Sequence, residues 1–452
     1  MSKEKFYTDR QTAGDLNLLG RFRKDSIINI FDRTRTRCGR QRLEAMFRSP
    51  LTVASEINAR AELVGWFRGC GAEMFLTEED VEAVEFYMGF RPSSGKAGAL
   101  ADMLLCRARQ IVLGVPSWQK VLDGIAAVSS VIVRTDKLLS SLPTEGCPVT
   151  EEIGEFRKAF PEAFVRELET VGSGELSFKK AVSLDRRLRV GKRAQIGGMM
   201  ELLYDMDVWI SVSSVAAARG FCTAEAVDSE DSFIEIENVY HPVLKSAVPN
   251  DIRMDSRSNV FFLTGVNMAG KSTLMKSVAI ALYLAQMGFP VPATAMRFTP
   301  MDGLVTSINV SDNISLGYSH FYAEVLRVKG IAEKVGEGKR LFIVFDELFK
   351  GTNVKDAYDA TLAVTQAFAK HTGCLYIIST HIVEVASALE ESCGNVRFRC
   401  LPSEMEDGRL VYHYKLHNGI SSDRHGMTII RNEHILDILK GSDVPVGDCE
   451  RL

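Results

Sequence analysis

Residues 265–273 read Gly-Val-Asn-Met-Ala-Gly-Lys-Ser-Thr, directly after the apolar run Val260-Phe261-Phe262-Leu263. Gly265, Gly270, Lys271 and Ser272 fill the pattern G-x-x-x-x-G-K-[ST]. Each residue type has a mechanical reason. Glycines let the backbone wrap close to phosphate oxygens, so that successive N–H groups form an anion nest. Lys271 brings a point charge to the β- and γ-phosphates, and the Ser272 hydroxyl suits a Mg²⁺ ligand. The helix expected from about Lys271 to Met287, rich in Ala and Leu, adds the positive end of its dipole. Strand, loop and helix in this order imply a site for a nucleoside triphosphate.

Two later strands belong to the same reading. Leu341-Phe342-Ile343-Val344-Phe345 runs into Asp346-Glu347, as expected of a central parallel strand whose C-terminal end meets phosphates. Asp346 there can hold a Mg²⁺ shell through water, and Glu347 can orient or deprotonate an attacking water. By itself the carboxylate pair would read as an exposed strand corner; the phosphate loop changes that. Cys374-Leu375-Tyr376-Ile377-Ile378-Ser379 ends at Thr380-His381. His381 alone would be an ordinary strand-end residue. As the third piece in order, it is the candidate sensor of the γ-phosphate or the lytic water.

The 452 residues leave room for two or three domains. Hydrophobic content of 46% and charged content of 25% are those of a globular protein. Nine cysteines without a C-x-x-C pair argue for reduced thiols in a cytoplasm rather than a disulfide frame or a zinc site. No apolar run is long enough to span a membrane, and Met-Ser-Lys-Glu-Lys has no secretory apolar core.

Upstream of about residue 235 the pattern is helical, through Ser55–Phe67, Leu100–Leu113 and Trp118–Leu139. In Glu151–Val171, Phe156, Phe160, Phe164 and Leu168 recur every fourth residue, one face of a helix. Breaks are expected at 91–95, 114–117 and 142–146. Phe233–Val239 opens the β-containing half, Arg409–Leu416 alternates as a late strand, and Glu433–Leu439 reads as a terminal helix.

Net charge is −4, so nothing global advertises nucleic acid. Two local runs are basic. Arg21, Arg23, Lys24, Arg33, Arg35, Arg37, Arg40, Arg42 and Arg48 form the first, read more as a solvated or salt-bridged face than as DNA contacts. Lys179, Lys180, Arg186, Arg187, Arg189, Lys192 and Arg193 form the second, for which a phosphate-tracking role and a solvated face both stay open.

These motifs resemble the MutS family of mismatch-repair ATPases. The similarity lies in Asn267-Met268 within the phosphate loop, Val291-Pro292-Ala293 after the next helix, Asp346-Glu347 followed by Gly351-Thr352, and Thr380-His381. His241-Pro242-Val243-Leu244 and Val248-Pro249-Asn250-Asp251 are similar to the approach to that ATPase domain. Asp312–Glu324 resembles the signature segment, which implies that Ser319, with Gly317, contacts the γ-phosphate of a partner subunit. Residues 14–51 look like the start of the helical core, and Leu202–Ile210 like the end of its lever helix. Gly419-Ile420-Ser421 and His425-Gly426 stand where the family has a glycine-bearing turn.

Departures qualify the resemblance. Val266 and Ala269 replace the usual Pro and Gly; Tyr318 and His320 replace Arg and Thr; Ala247 stands where some members place an aromatic platform for adenine. No room for the mismatch-reading and connector domains is expected before the core. Phe233-Ile234-Glu235 reads as a strand coincidence rather than the mismatch wedge.

The expected fold is therefore an α/β P-loop, ABC-type ATPase domain over 236–452 with a short C-terminal helix, preceded by a mainly α-helical core and lever domain over 1–235. The resemblance implies nucleotide contacts from Gly265, Asn267, Met268, Gly270, Lys271, Ser272 and Thr273, with Mg²⁺ at Ser272 and Asp346, and catalysis by Glu347 and His381. It implies a cytoplasmic homodimer, gated by ATP and Mg²⁺, acting on double-stranded or branched DNA in repair or recombination, with a repair-pathway protein as a further partner. The alternative is an ATP-driven remodeller of a protein or ribosomal partner that touches no DNA.

Overall fold

The computed structural model describes residues 5–20, 25–89, 117–171, 176–308, 320–406 and 409–421, together with residues 104, 105, 107, 108, 112, 438 and 439. Gly317, Ser319, His425-Gly426, most of Leu100–Leu113 and the start of the Glu433–Leu439 helix lie outside the described residues. The chain forms two compact units, one of residues 1–27, 49–58 and 221–452, the other of residues 28–48 and 59–220. The expected domain boundary at 235/236 differs from this division in two places. The chain joins the sheet-bearing unit already at 221, because Ala224–Ala226 is a strand of it, and two N-terminal segments belong to that unit as well.

The first unit is built on two main sheets. We number its strands β1 (Ala224–Ala226), β2 (Phe233–Val239), β3 (Asn250–Asp255), β4 (Val260–Thr264), β5 (Ala295–Phe298), β6 (Gly303–Ser307), β7 (Leu341–Asp346), β8 (Leu375–Ser379), β9 (Val396–Cys400), β10 (Ser403–Glu406), β11 (Arg409–Tyr412) and β12 (His417–Asn418). The larger sheet has the order β12-β9-β4-β8-β7-β6, parallel except for β12 at its edge. The second has the order β1-β5-β2-β3 and is mixed; β10 and β11 form a hairpin.

Strand burial explains the composition. Every residue of β4, β6 and β8 is buried, which is why these strands read as continuous apolar runs rather than alternating ones. β2 and β3 alternate between buried and more open positions, as a one-sided sheet requires. The helix Lys271–Gln286 packs on β1 and β2 of one sheet and on β7 of the other. It is buried all round from Val278 to Gln286, hence its apolar character on every face. Its terminal Gln286 is satisfied by the backbone of Met301, donating from Nε2 to the carbonyl at 2.7 Å and accepting the amide at 3.3 Å.

The N-terminal segment is stitched to β6. Tyr7 bridges Gly303 in parallel, and a Cβ on Gly303 would lie 2.4 Å from the Tyr7 carbonyl oxygen, so only glycine fits. Buried Asp15 accepts from Thr306 Oγ1 at 2.7 Å and from the Ile308 amide at 3.1 Å. Arg327 pairs with Asp9 and donates to the Thr306 carbonyl at 2.6 Å.

The second unit is helical. Its long helices are Ser117–Ser141 and Arg193–Arg219, joined by Thr150–Ala159, Glu162–Glu169 and Phe178–Asp185, then a π-helical turn Arg186–Gly191. Arg37–Arg48, Glu78–Gly89 and most of Ala54–Cys70 complete it. The single helix expected over Glu151–Val171 is interrupted at Phe160-Pro161. Proline has no amide to donate and disfavours the helical conformation in the residue before it. Phe156, Phe160, Phe164 and Leu168 are nonetheless all buried, so the apolar spacing marked the core while the proline decided the helix ends. No helix among the described residues is long and apolar enough to cross a membrane.

Candidate nucleotide site

The larger sheet places three chain ends side by side. β8 lies between β4 and β7, and the register pairs Leu263 with Ser379 and Asp346 with Ser379. The loop after β4, the carboxylates after β7 and the Thr380-His381 turn after β8 therefore emerge together at the carboxyl end of these interior strands. In open α/β sheets, ligands bind outside the carboxyl ends of the strands.

The loop after β4 bends through left-handed backbone at Gly265 (φ 147°), Met268 (φ 68°) and Gly270 (φ 96°). A Cβ on Gly265 would stand 2.9 Å from the Leu401 carbonyl oxygen, so the glycine is needed for close approach as well as conformation. Lys271 opens the helix and is 6% exposed. Its Nζ donates to the carbonyls of Gly265 at 2.7 Å and Val266 at 3.2 Å, closing the loop on itself. Burial pushes the Lys271 pKa down, opposed by the nearby charges of Glu347 and Asp346. Met268, at the outer turn, is 72% exposed. Asn267 and Thr273 line the same cavity.

Ser272 Oγ donates to Asp346 Oδ2 at 2.5 Å, and Ser379 Oγ donates to Asp346 Oδ1. Both carboxylate oxygens are thus oriented by hydroxyls from the neighbouring loop and strand. Glu347 has φ 56°, uncommon for a side-chain-bearing residue; its amide is held by the Ser379 carbonyl at 3.1 Å. His381 Nε2 donates to Glu347 Oε1, and Lys350 Nζ lies 4.0 Å from Oε2. The hydrogen bond from His381 holds the Glu347 carboxyl below its ordinary value, against the opposing effect of burial.

Of these groups, Gly270, Lys271, Ser272 and Glu347 border a cavity of about 530 Å³. Its wall also includes His241, residues 244–248 with Ala247 among them, and Tyr414. The Tyr414 ring lies against the loop, 3.0 Å from where a Gly270 Cβ would be. It stacks on Tyr412 at 6.1 Å, and Asn250 Nδ2 donates to its carbonyl at 3.0 Å. Burial pushes the His241 pKa down, as does Lys276.

Sequence reasoning did not single out Ser379 or Tyr414. Ser379 was visible only as a strand residue, since its contact with Asp346 depends on β7–β8 register. Tyr414 arrives from a segment nearly 150 residues beyond the loop it covers. Phe233-Ile234-Glu235 lies in β2, where Ile234 is buried and Glu235 sits 3.8 Å from Arg297.

The basic runs sort into engaged and open residues. In the second run, Arg189 pairs with Asp185, both buried, and Arg187 pairs with Glu167 at 2.7 Å. Lys192 donates to the Ala159 carbonyl and Lys180 to Thr170 Oγ1 at 3.1 Å. Lys179, Arg186 and Arg193 are exposed. In the first run, Arg37 pairs with Glu78, Arg40 with Asp32, and Arg42 with Glu201 and Asp205. Arg21, Arg23 and Lys24 lie outside the described residues.

A helical unit and an α/β unit with a glycine-lined loop at the carboxyl end of an interior strand define the class of chain. Comparison with known proteins gives the family. Residues 261–438 match the family model for MutS domain V. The DNA mismatch repair protein MutS of Persephonella marina is 31% identical over 248 residues, 54% of this chain and 27% of that protein. That of Desulfovibrio desulfuricans is 31% identical over 254 residues, 54% and 27% respectively. That of Brevibacillus brevis is 29% identical over 267 residues, 56% and 30%. The chain is a MutS-family protein, and it spans under a third of the length of these relatives.

Proposed function

We propose that this protein is a Mg²⁺-dependent ATPase of ABC type, a dimer gated by ATP that acts as a DNA-binding switch in repair or recombination. The observation that carries the reading is the convergence of Lys271, Ser272, Asp346, Glu347 and His381 at the carboxyl end of the sheet's interior strands. Gly265–Thr273 would wrap the phosphates, with Lys271 exchanging its loop carbonyls for phosphate oxygens. The helix behind it favours negative charge at its N-terminus.

The donor set fits Mg²⁺. Among the described residues no group of three or more His, Cys, Asp or Glu is placed to hold a metal, so a cation here would depend on phosphate oxygens and water, as Mg²⁺ does. Ser272 and Asp346 would hold it, and when bound it would neutralise charge on the phosphates. Glu347 would position and deprotonate the attacking water, with His381 fixing its carboxylate. Tyr414 would offer the base an aromatic face, in a cavity where Ala247 supplies none. Gly317 and Ser319 would complete the site from a partner subunit. DNA contact is taken from what the relatives are named for, without reading of mismatches by the usual wedge. The alternative, a remodeller of protein or ribosomal partners, is not favoured, because the relatives are named as DNA mismatch repair proteins.

Sedimentation of the Glu347→Gln variant with and without ATP and Mg²⁺ tests the gate. A dimer that forms with ATP and dissolves on its removal supports it. A mass indifferent to nucleotide refutes it.

A further inference from the structure

The helical unit has a second cavity, of about 450 Å³, lined by Arg33, Arg35, Arg219 and Ser214, with Met74 in its wall and Glu73 as its exposed carboxylate. Unlike Arg37, Arg40 and Arg42, the guanidiniums of Arg33 and Arg35 make no ion pair among the described residues; that of Arg33 donates to the Asp32 carbonyl at 3.3 Å. Both side chains are exposed, yet the backbone that carries them is pinned. Ser211 Oγ accepts from the Arg33 amide at 2.6 Å and donates to the Phe31 carbonyl at 2.7 Å. Asp207 Oδ1 accepts from the Arg35 amide at 3.0 Å, and Oδ2 from the Thr36 amide at 3.0 Å. Asp207 is 1% exposed, and its oxygens are spent on these inward donors. The roots of the two guanidiniums are therefore fixed before any ligand arrives, which lowers the ordering cost of binding.

We propose that this groove binds the phosphodiester backbone of a nucleic acid. The inference rests on the DNA reading above and gives it a place on the helical unit. Guanidinium forks match phosphate oxygens in bidentate geometry, while the Ser214 hydroxyl is turned to the Ser211 carbonyl at 2.8 Å. An acidic peptide finds less here. Among the described residues of this unit there is no strand, hence no sheet edge for a peptide to extend. The Lys179–Arg193 run is the weaker candidate, because Arg187, Arg189, Lys180 and Lys192 are engaged within the unit.

The test is binding of the full chain to fluorescein-labelled duplex DNA across a series of salt concentrations. Arg33→Ala/Arg35→Ala is compared with Lys179→Ala/Arg186→Ala/Arg193→Ala. The first variant is expected to lose affinity by about tenfold or more at low salt. Its log–log salt slope should become shallower by roughly 1.8, two phosphate contacts at ~0.9 each. The second variant should lose less. Arg33→Lys/Arg35→Lys should keep most of the slope, since the charges remain, and thermal melting checks that each variant is folded. An unchanged affinity and slope in Arg33→Ala/Arg35→Ala overturns the proposal while leaving the DNA reading intact. Wild type that binds no nucleic acid overturns both. Displacement of the duplex by polyglutamate at equal charge concentration overturns it in favour of an acidic-peptide surface.

Discussion

Lys271 already has partners: its ammonium is buried against the carbonyls of its own loop. A phosphate must offer more than those carbonyls, and charge-assisted hydrogen bonds do. Lys271→Met should therefore lower ATP affinity by about 10- to 100-fold, the equivalent of roughly 1.5–3 kcal/mol, measured by titration calorimetry. Glu347 carries a pH signature. Its folded pKa lies below the ordinary 4.5 because of the bond from His381. The stability it contributes is thus complete above 4.5 and is lost as pH falls through the lower folded value. Glu347→Gln should flatten the acid side of the stability profile followed by urea unfolding; an acid limb identical to wild type would contradict the pairing. At this scale the sequence was most legible where spacing is local. Gly265, Gly270, Lys271 and Ser272 are fixed by chain neighbours, whereas Ser379 and Tyr414 reach the site through strand register and a distant return of the chain.

Periodicity read the helices Ala54–Cys70 and Ser117–Ser141 and the strands at 260–264, 341–346 and 375–379, because each buries a face or a whole segment that its pattern declares. It read one helix where Pro161 makes two. It also assigned residues 5–18 to the helical half, since nothing in their composition says that Tyr7, Asp9 and Asp15 dock on β6 and Arg327. Such pairings are far apart in sequence and rest on complementary groups that each look ordinary alone. The long helix Arg193–Arg219 and the start of Arg37–Arg48 show the same thing. Asp207 of the one serves the amides just before the other and takes the hydroxyl proton of Thr36, whose Oγ1 caps the helix by accepting from the Gly39 amide at 3.0 Å. A Cβ on Gly39 would lie 2.4 Å from Asp207 Oδ2, so the close approach needs glycine. Asp207→Ala leaves those buried donors without an acceptor and should destabilise the helical unit by about 2–4 kcal/mol, read from urea unfolding. Burial pushes the Asp207 pKa up from 3.8. Its contribution is therefore greatest below 3.8 and declines as pH rises through the folded value. Relative to Asp207→Asn, wild type should lose stability over that rise.

For the whole molecule, the account joins an ATP site in the α/β unit to a nucleic-acid surface in the helical unit, in a chain that matches less than a third of its relatives' length. Such a link is a coupling free energy and must be reciprocal for binding: if ATP alters DNA affinity, DNA alters ATP affinity by the same factor. Calorimetric titration of ATP into Glu347→Gln with and without saturating duplex should show that shift, and equal affinities would separate the two units functionally. The most direct measurement is steady-state ATP hydrolysis by wild type and Glu347→Gln, with and without duplex, branched and single-stranded DNA. The account predicts turnover by wild type at a rate that DNA changes, and none above background by Glu347→Gln, which instead stays an ATP-bound dimer. Hydrolysis that no nucleic acid alters would contradict it, and would turn the helical unit towards a protein partner.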